Sequence, residues 1–341
     1  MKVNPIEWAR WFLQSPAPAA QRARRVAKAA IIIVLFAVLF WIVPIQDVLA
    51  ALVNAEPVHL LIGLLLALPV SYLTAVELAI LVRKQGIEHG VGKVFIINMA
   101  VKFYTLVTPG TIVGSGVRWY RLAQPGDKAA EALAAIAFFR LLETFMSIVF
   151  GLAFWLLSGQ GTVASLGWLL ALFLVSLVFW LIATRLSSRI SDWFKALAGR
   201  APKHSFWQGM LRRVERFLTA LAAYTSLSAW DLFLTFCAGL GSLLVNVWSS
   251  VYLARSVGIE LNFLQMGGIS SLILLASQLP FAVAGGLGIR EASLVAILPA
   301  YGASVERALA FSFLLFIRGV VLSLFGGVME AYDTIQARRM A

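Results

Sequence analysis

With 341 residues, 61% of them hydrophobic and only 13% charged, the chain has too little polar surface to cover a soluble domain of its size. The formal net charge of +12 belongs with anionic headgroups at a cytoplasmic membrane face rather than with nucleic acid. One cysteine, Cys237, excludes an intrachain disulfide and a cysteine metal cluster, and His59, His89 and His204 stand far apart at segment edges. There is no P-loop, no H-E-x-x-H and no G-x-S-x-G. ATP-driven transport and serine-hydrolase chemistry are without support, and no cofactor or metal is expected.

In chain order, residues 1–25 read as an interfacial, cytoplasmic segment: Trp8, Trp11 and Phe12 stand beside Arg10, and Arg22, Arg24 and Arg25 follow. Two apolar spans come next, about 26–45 and 58–82, the second closed by Arg83 and Lys84. Residues 90–124 are apolar but broken by Asn98, Lys102 and a Pro-Gly stretch, so they read as a re-entrant hairpin. A span over 129–157 completes a first membrane repeat, 26–157. The second repeat, 163–332, opens with a span to about 184 and a basic cytoplasmic loop, 185–227. The later part of that loop, "FWQGMLRRVERFLTALAAY", alternates apolar and basic faces at helical spacing. A span over 230–254, a second hairpin over 261–301 and a last span over 308–332 follow, and 333–341 form a cytoplasmic tail.

The expected fold is therefore an all-α polytopic membrane protein with about six full spans and two re-entrant hairpins. Placing both termini inside puts most of the 28 basic residues on the cytoplasmic side and leaves Arg255 and Arg307 outside. Each half then runs span, span, hairpin, span, in opposite orientation. Inverted repeats of this kind, with broken helices near the midplane, are an architecture of secondary transporters.

Two stretches carry the chemistry. "TPGTIVGSGVRWYRL" holds Pro109, Gly110, Gly114, Gly116 and Arg118; "PFAVAGGLGIREASL" holds Gly285, Gly286, Gly288, Arg290 and Glu291. Glycine lets backbone approach a ligand, free amides at a helix start attract anions, and arginine supplies a planar fork for phosphate. Arg290 and Arg118 are expected as paired halves of one phosphate site. Glu77, Lys102, Arg140, Glu143 and Arg318 are ionisable residues inside apolar segments and are read as the charges of a polar cavity. Arg140 and Glu143, three apart on one helix, are placed to pair with each other.

Those two stretches, together with the in-membrane "FFRLLETF", resemble the lysylphosphatidylglycerol synthase transmembrane region family over nearly the whole chain. In the best-known member of that family the membrane region is a flippase, and a separate soluble domain makes the lipid. The resemblance implies a lipid-handling protein without the synthase domain. The expected function is movement of an anionic or aminoacylated phospholipid between leaflets of a bacterial inner membrane, not catalysis. The alternatives are a carrier of polyprenyl-phosphate-type or hopanoid-type lipids, an integral-membrane lipid- or glycan-modifying enzyme using Glu291, and a scaffold that recruits a separate lipid-synthesising enzyme through the basic loop. The expected partners are the phospholipid substrate and anionic headgroups, with no nucleic acid.

Overall fold

The computed structural model describes residues 46, 50, 53–107, 111–124, 128–158, 187–200, 206–277 and 289–340, with scattered helical positions between 167 and 178. Every regular element among them is helical. Helix α1 (Pro57–Leu65) opens with proline in its first turn, where the missing N–H is not needed, and α2 (Ala67–Lys84) continues it after Leu66. Then come α3 (Val91–Val107), α4 (Thr111–Ala123) and α5 (Ala129–Ser158). Two amphipathic helices, α6 (Ser187–Arg200) and α7 (Phe206–Ala222), precede a 3-10 turn at Ala223–Ser226. Helix α8 (Ala229–Ser256) is capped by Ser228, whose hydroxyl accepts from the Asp231 N–H at 3.0 Å. The order closes with α9 (Phe263–Ser277), α10 (Ile289–Ile297), a 3-10 turn at Leu298–Tyr301 and α11 (Val305–Met340).

Among the described residues, four stretches are long and apolar enough to cross a membrane: Pro57–Lys84, Ala129–Ser158, Ala229–Ser256 and Val305–Ala331. The apolar part of α9, Phe263–Leu274, is shorter. The expected span over 26–45 lies outside the described residues, as does most of the one over 163–184.

Both ends of the helix bundle can be traced through hydrogen bonds. At one end Lys128 Nζ donates to the Gly86 carbonyl at 2.5 Å, Gln85 Nε2 to Ala220 O at 2.7 Å and Tyr224 Oη to Leu81 O at 3.1 Å. The Tyr224 ring also stacks on Phe138, with centroids 4.2 Å apart. This end gathers the last turn of α2, the start of α5 and the α7 segment, and with them the basic residues Arg83, Lys84 and Lys128. At the other end the Glu56 N–H donates to Ser256 O at 2.9 Å and Arg307 Nη1 to Gly258 O at 3.0 Å.

Helix α3 leaves the basic end, and α4 comes back to it, where Trp119 Nε1 donates to Ala129 O at 2.8 Å. Helix α9 leaves the opposite end: Phe263 at its start packs edge-on to Phe154 near the end of α5. Helix α10 leads back to that end through the 3-10 turn, and Arg307 follows at the start of α11.

The packing has a regular correspondence. Helix α3 packs on α11, as α9 packs on α5; α4 packs on α5, as α10 packs on α11; α2 packs on α3, as α8 packs on α9. Helices α2 and α8 pack on each other. The α3–α11 and α5–α9 crossings are both closed through glycine. Gly326 lets α11 approach the Met99 backbone, and a β-carbon at Gly151 would stand 2.7 Å from Ser271 Cβ. Small residues at such crossings allow the close backbone contact that drives helix association in lipid.

Apolar side chains form one buried cluster toward the basic end, including Leu78, Val94, Phe138 and Leu221. A second, toward the other end, includes Val251, Met266, Leu294 and Phe311.

Candidate functional site: a cationic cavity between the two cores

Between the two apolar clusters lies a cavity of about 250 Å³ with walls from α2, α3, α4, α5, α8 and α9. Five residues singled out in the sequence line it: Glu77 from α2, Lys102 from α3, Arg118 from α4, and Arg140 and Glu143 from α5. Uncharged polar groups complete the wall, among them Thr74, Ser147, Ser242, Asn246, Ser270 and Ser271.

The cations are not equivalent. Arg140 Nη1 donates to Glu143 Oε2 at 3.0 Å, so this i,i+3 pair neutralises itself on α5. Arg118 lies with its guanidinium carbon 5.9 Å from the Phe139 ring centroid, and its buried Nε has no hydrogen-bond partner. Lys102 is held through its backbone, whose carbonyl accepts from Ser323 Oγ at 3.0 Å. Its ammonium stands within electrostatic reach of Arg118, Arg318, Arg140 and Glu143. Three cations therefore face two carboxylates, one of which is already engaged. An excess of positive charge in a cavity within the bundle is what an anionic group would relieve.

Glu77 is the other carboxylate. It is 3% exposed, and its Oε1 is buried without a hydrogen-bond partner. Room for it comes from Gly239 on α8: a β-carbon there would stand 3.3 Å from the carboxylate and 2.8 Å from Met146 Sδ.

The remaining candidates are placed as follows. Arg290 and Glu291 open α10 and bind each other, with Arg290 Nη2 donating to Glu291 Oε1 at 2.6 Å. Ser312 Oγ donates to the same oxygen at 2.8 Å. Arg290 and Glu291 are not among the residues that line the cavity. Arg318 donates to Ser249 Oγ at 2.9 Å and lies within electrostatic reach of Arg290 on one side and Lys102 on the other. Gly114 and Gly116 sit inside the α4 helix rather than at a hairpin tip, because the helix begins at Thr111, directly after the Pro-Gly pair. Gly114 faces Thr105 on α3 and lets the two arms of the hairpin close together. Pro109, Gly110, Gly285, Gly286 and Gly288 lie outside the described residues.

Sequence reading missed the hydroxyl and amide lining. The spacing of Ser242 and Asn246, four apart on one face of α8, was the available signal. It also missed the pairing of Arg121 with Glu330, which ties α4 to α11 and in which Tyr104 Oη also donates to Glu330 at 3.2 Å.

Long apolar helices around a charged interior cavity define a polytopic integral membrane protein. Residues 25–327 match the family described as Lysylphosphatidylglycerol synthase TM region, and the chain belongs to that family. Neither a curated protein nor a solved structure matches the chain.

Proposed function

We propose that the protein moves an anionic or aminoacylated phospholipid between leaflets, with Arg118 and Lys102 holding the phosphate in the cavity. The observation that carries this reading is the excess of cations there, with the Arg118 Nε buried and unpartnered. Guanidinium and ammonium groups inside a bilayer are rare without a functional counter-charge, and an arginine fork matches phosphate oxygens. Family membership places the protein among lipid-related membrane domains and supports a lipid as the anion's source.

In this reading the two halves are an inverted repeat, supported by the matched helix pairings and by hairpins that leave from opposite ends. Gly86 and Gly258 stand the same distance apart in the chain as Arg118 and Arg290. Arg290 is the second half's equivalent of Arg118, held by Glu291 in this state and freed for phosphate when that pair opens. The basic end faces the cytoplasm of a bacterial inner membrane, with both termini on that side.

The test is leaflet exchange of quenchable phosphatidylglycerol and lysyl-phosphatidylglycerol analogues in proteoliposomes. Exchange by wild type that collapses in Arg118→Ala supports the reading; no exchange of any anionic lipid overturns it. An enzyme reading draws on Glu77 and Glu143 lining one cavity. It requires a chemically altered lipid, which mass spectrometry of the same vesicles would detect.

A further inference from the structure

Arg318 belongs to the membrane-crossing stretch Val305–Ala331 of α11, and no carboxylate among the described residues pairs with it. Its Nη1 donates to Ser249 Oγ at 2.9 Å. Ser249 brings no counter-charge, and its own proton goes to the Gly63 carbonyl at 2.7 Å. The arginine is half-buried, and its Nε and Nη2 are neither hydrogen-bonded nor sealed from contact. With Nη1 held by the serine, the Nε–Nη2 edge of the guanidinium is the free one, and that edge is a two-donor fork for phosphate oxygens. The charged groups within its electrostatic reach are cations, Lys102 on one side and Arg290 on the other. A cation so placed inside a bilayer is costly unless an anion or water meets it.

Its place along the bundle gives it a use. Gly239, Ser242 and Asn246 line the cavity from one face of α8. Ser249 continues that face at the same helical spacing, about 4.5 Å further along the axis. Helix α8 runs from the basic end, where Lys84 Nζ donates to Ser226 O at 2.7 Å, to the opposite end, where Ser256 O accepts from the Glu56 N–H. Arg318 therefore meets α8 just past the cavity wall, on the side away from the basic end. Lys102 lies behind it in the cavity, and Arg290 opens the helix that returns to the opposite end. The cations form a series from the first half to the second: Arg118 and Lys102, then Arg318, then Arg290. An ion crosses a membrane protein when several sites hold it in turn, each weakly enough to release it to the next.

From this we infer that Arg318 is a second anion subsite, a transfer station that takes the headgroup phosphate from Arg118 and Lys102 and passes it on toward Arg290. The inference rests on the phosphate reading above and adds the path to it. No covalent bond forms or breaks. The headgroup exchanges one set of cationic donors for the next, and Ser249 keeps the guanidinium turned so that its free edge receives the phosphate.

The experiment compares the full chain as wild type, Arg318→Gln and Arg318→Lys. Calorimetry in detergent micelles reads binding of short-chain phosphatidylglycerol, and proteoliposomes read leaflet exchange of its quenchable analogue. In Arg318→Gln, binding is expected to persist while exchange falls about ten-fold or more, the size of a lost charge-assisted contact. In Arg318→Lys, which keeps the charge, exchange is expected to return in part. Wild-type exchange in Arg318→Gln overturns the station and leaves the Arg118 site standing. Loss of binding along with exchange in Arg318→Gln also overturns it, because Arg318 would then belong to the first site. Loss of exchange that Arg318→Lys does not restore overturns it in favour of a structural role. Absence of binding in wild type overturns the phosphate site and the station with it. Should Arg318→Gln fail to fold, wild type decides through phenylglyoxal, which modifies accessible guanidinium groups. Short-chain phosphatidylglycerol is expected to slow modification of Arg318, read by mass spectrometry, and a rate that the lipid leaves unchanged rejects the station.

Discussion

Arg307 donates from Nη1 to the carbonyl of Gly258 at 3.0 Å, bridging the end of α8 and the start of α11 at the base of the second hairpin. Lys128 does the same for the first, reaching the Gly86 carbonyl at 2.5 Å. Both glycines follow a helix and hold positive φ, 68° at Gly86 and 73° at Gly258, where a side chain is strained. Alanine at either position is expected to destabilise by about 1–2 kcal/mol. Thermal melts of the detergent-solubilised protein should fall by several degrees in both variants, and removing the lysine or arginine head should do less. Equal stability of Gly86→Ala and wild type would remove the role assigned to this turn.

The α3–α11 crossing makes a sharper stability prediction. A β-carbon at Gly326 lands on the Met99 backbone carbonyl, whereas at Gly319, on the same helix, it meets nothing within 4 Å. Overpacking of this kind costs about 1–3 kcal/mol. Gly326→Ala should therefore melt early, and Gly319→Ala should match wild type or exceed it through better helix propensity. The same melting assay compares the two directly.

Arg118 separates function from stability. Losing its charge-assisted contacts with a phosphate should lower leaflet exchange about ten-fold or more in Arg118→Ala, with Arg118→Lys between that and wild type. Stability should hold or rise in the same variant, since a cation whose buried Nε has no hydrogen-bond partner is being removed. Loss of exchange together with a low melting temperature would instead mark Arg118 as structural.

The turn between α2 and α3 carries a pH dependence. His89 is 3% exposed, and its pKa is held below the usual 6.5 mainly by burial, with Lys93 adding repulsion and a backbone hydrogen bond with Arg121 opposing. The unfolded chain then binds a proton that the folded one excludes. This contribution is complete above about 6.5 and is lost as pH falls from there through the lower pKa of the folded state. Melting temperature measured against pH should decline on the acidic side, and His89→Gln should flatten that part of the curve.

Much of the architecture was written in local pattern. Apolar length marked the spans, and a spacing of three put Arg140 against Glu143. Lys102 and Arg118 stood out because charge is rare in such sequence. What joined them to Glu77 and Gly239 was not local: α2 and α8 meet only in the folded bundle, and nothing near Gly239 in the chain announces the carboxylate beside it. The glycines of "GSGVR" are ambiguous for a related reason. Glycine marks a turn and a close helix contact alike, and Gly114 serves the contact with Thr105. Arg290 needed its neighbours as well, because its fork is held by Glu291, with Ser312 against both.

The exchange of partners between halves also bears on biogenesis. Ser323 on α11 donates to the carbonyl of Lys102, 221 residues earlier in the chain, and Gly326 seats against Met99 on that same helix. While the ribosome is still making the middle of the protein, α3 has left the insertion machinery without the helix it is shaped to fit. Assembly of this crossing therefore waits for α11. A nascent chain that stops before α11 leaves the Lys102 carbonyl and the Met99 backbone of α3 without the serine and the glycine that cover them.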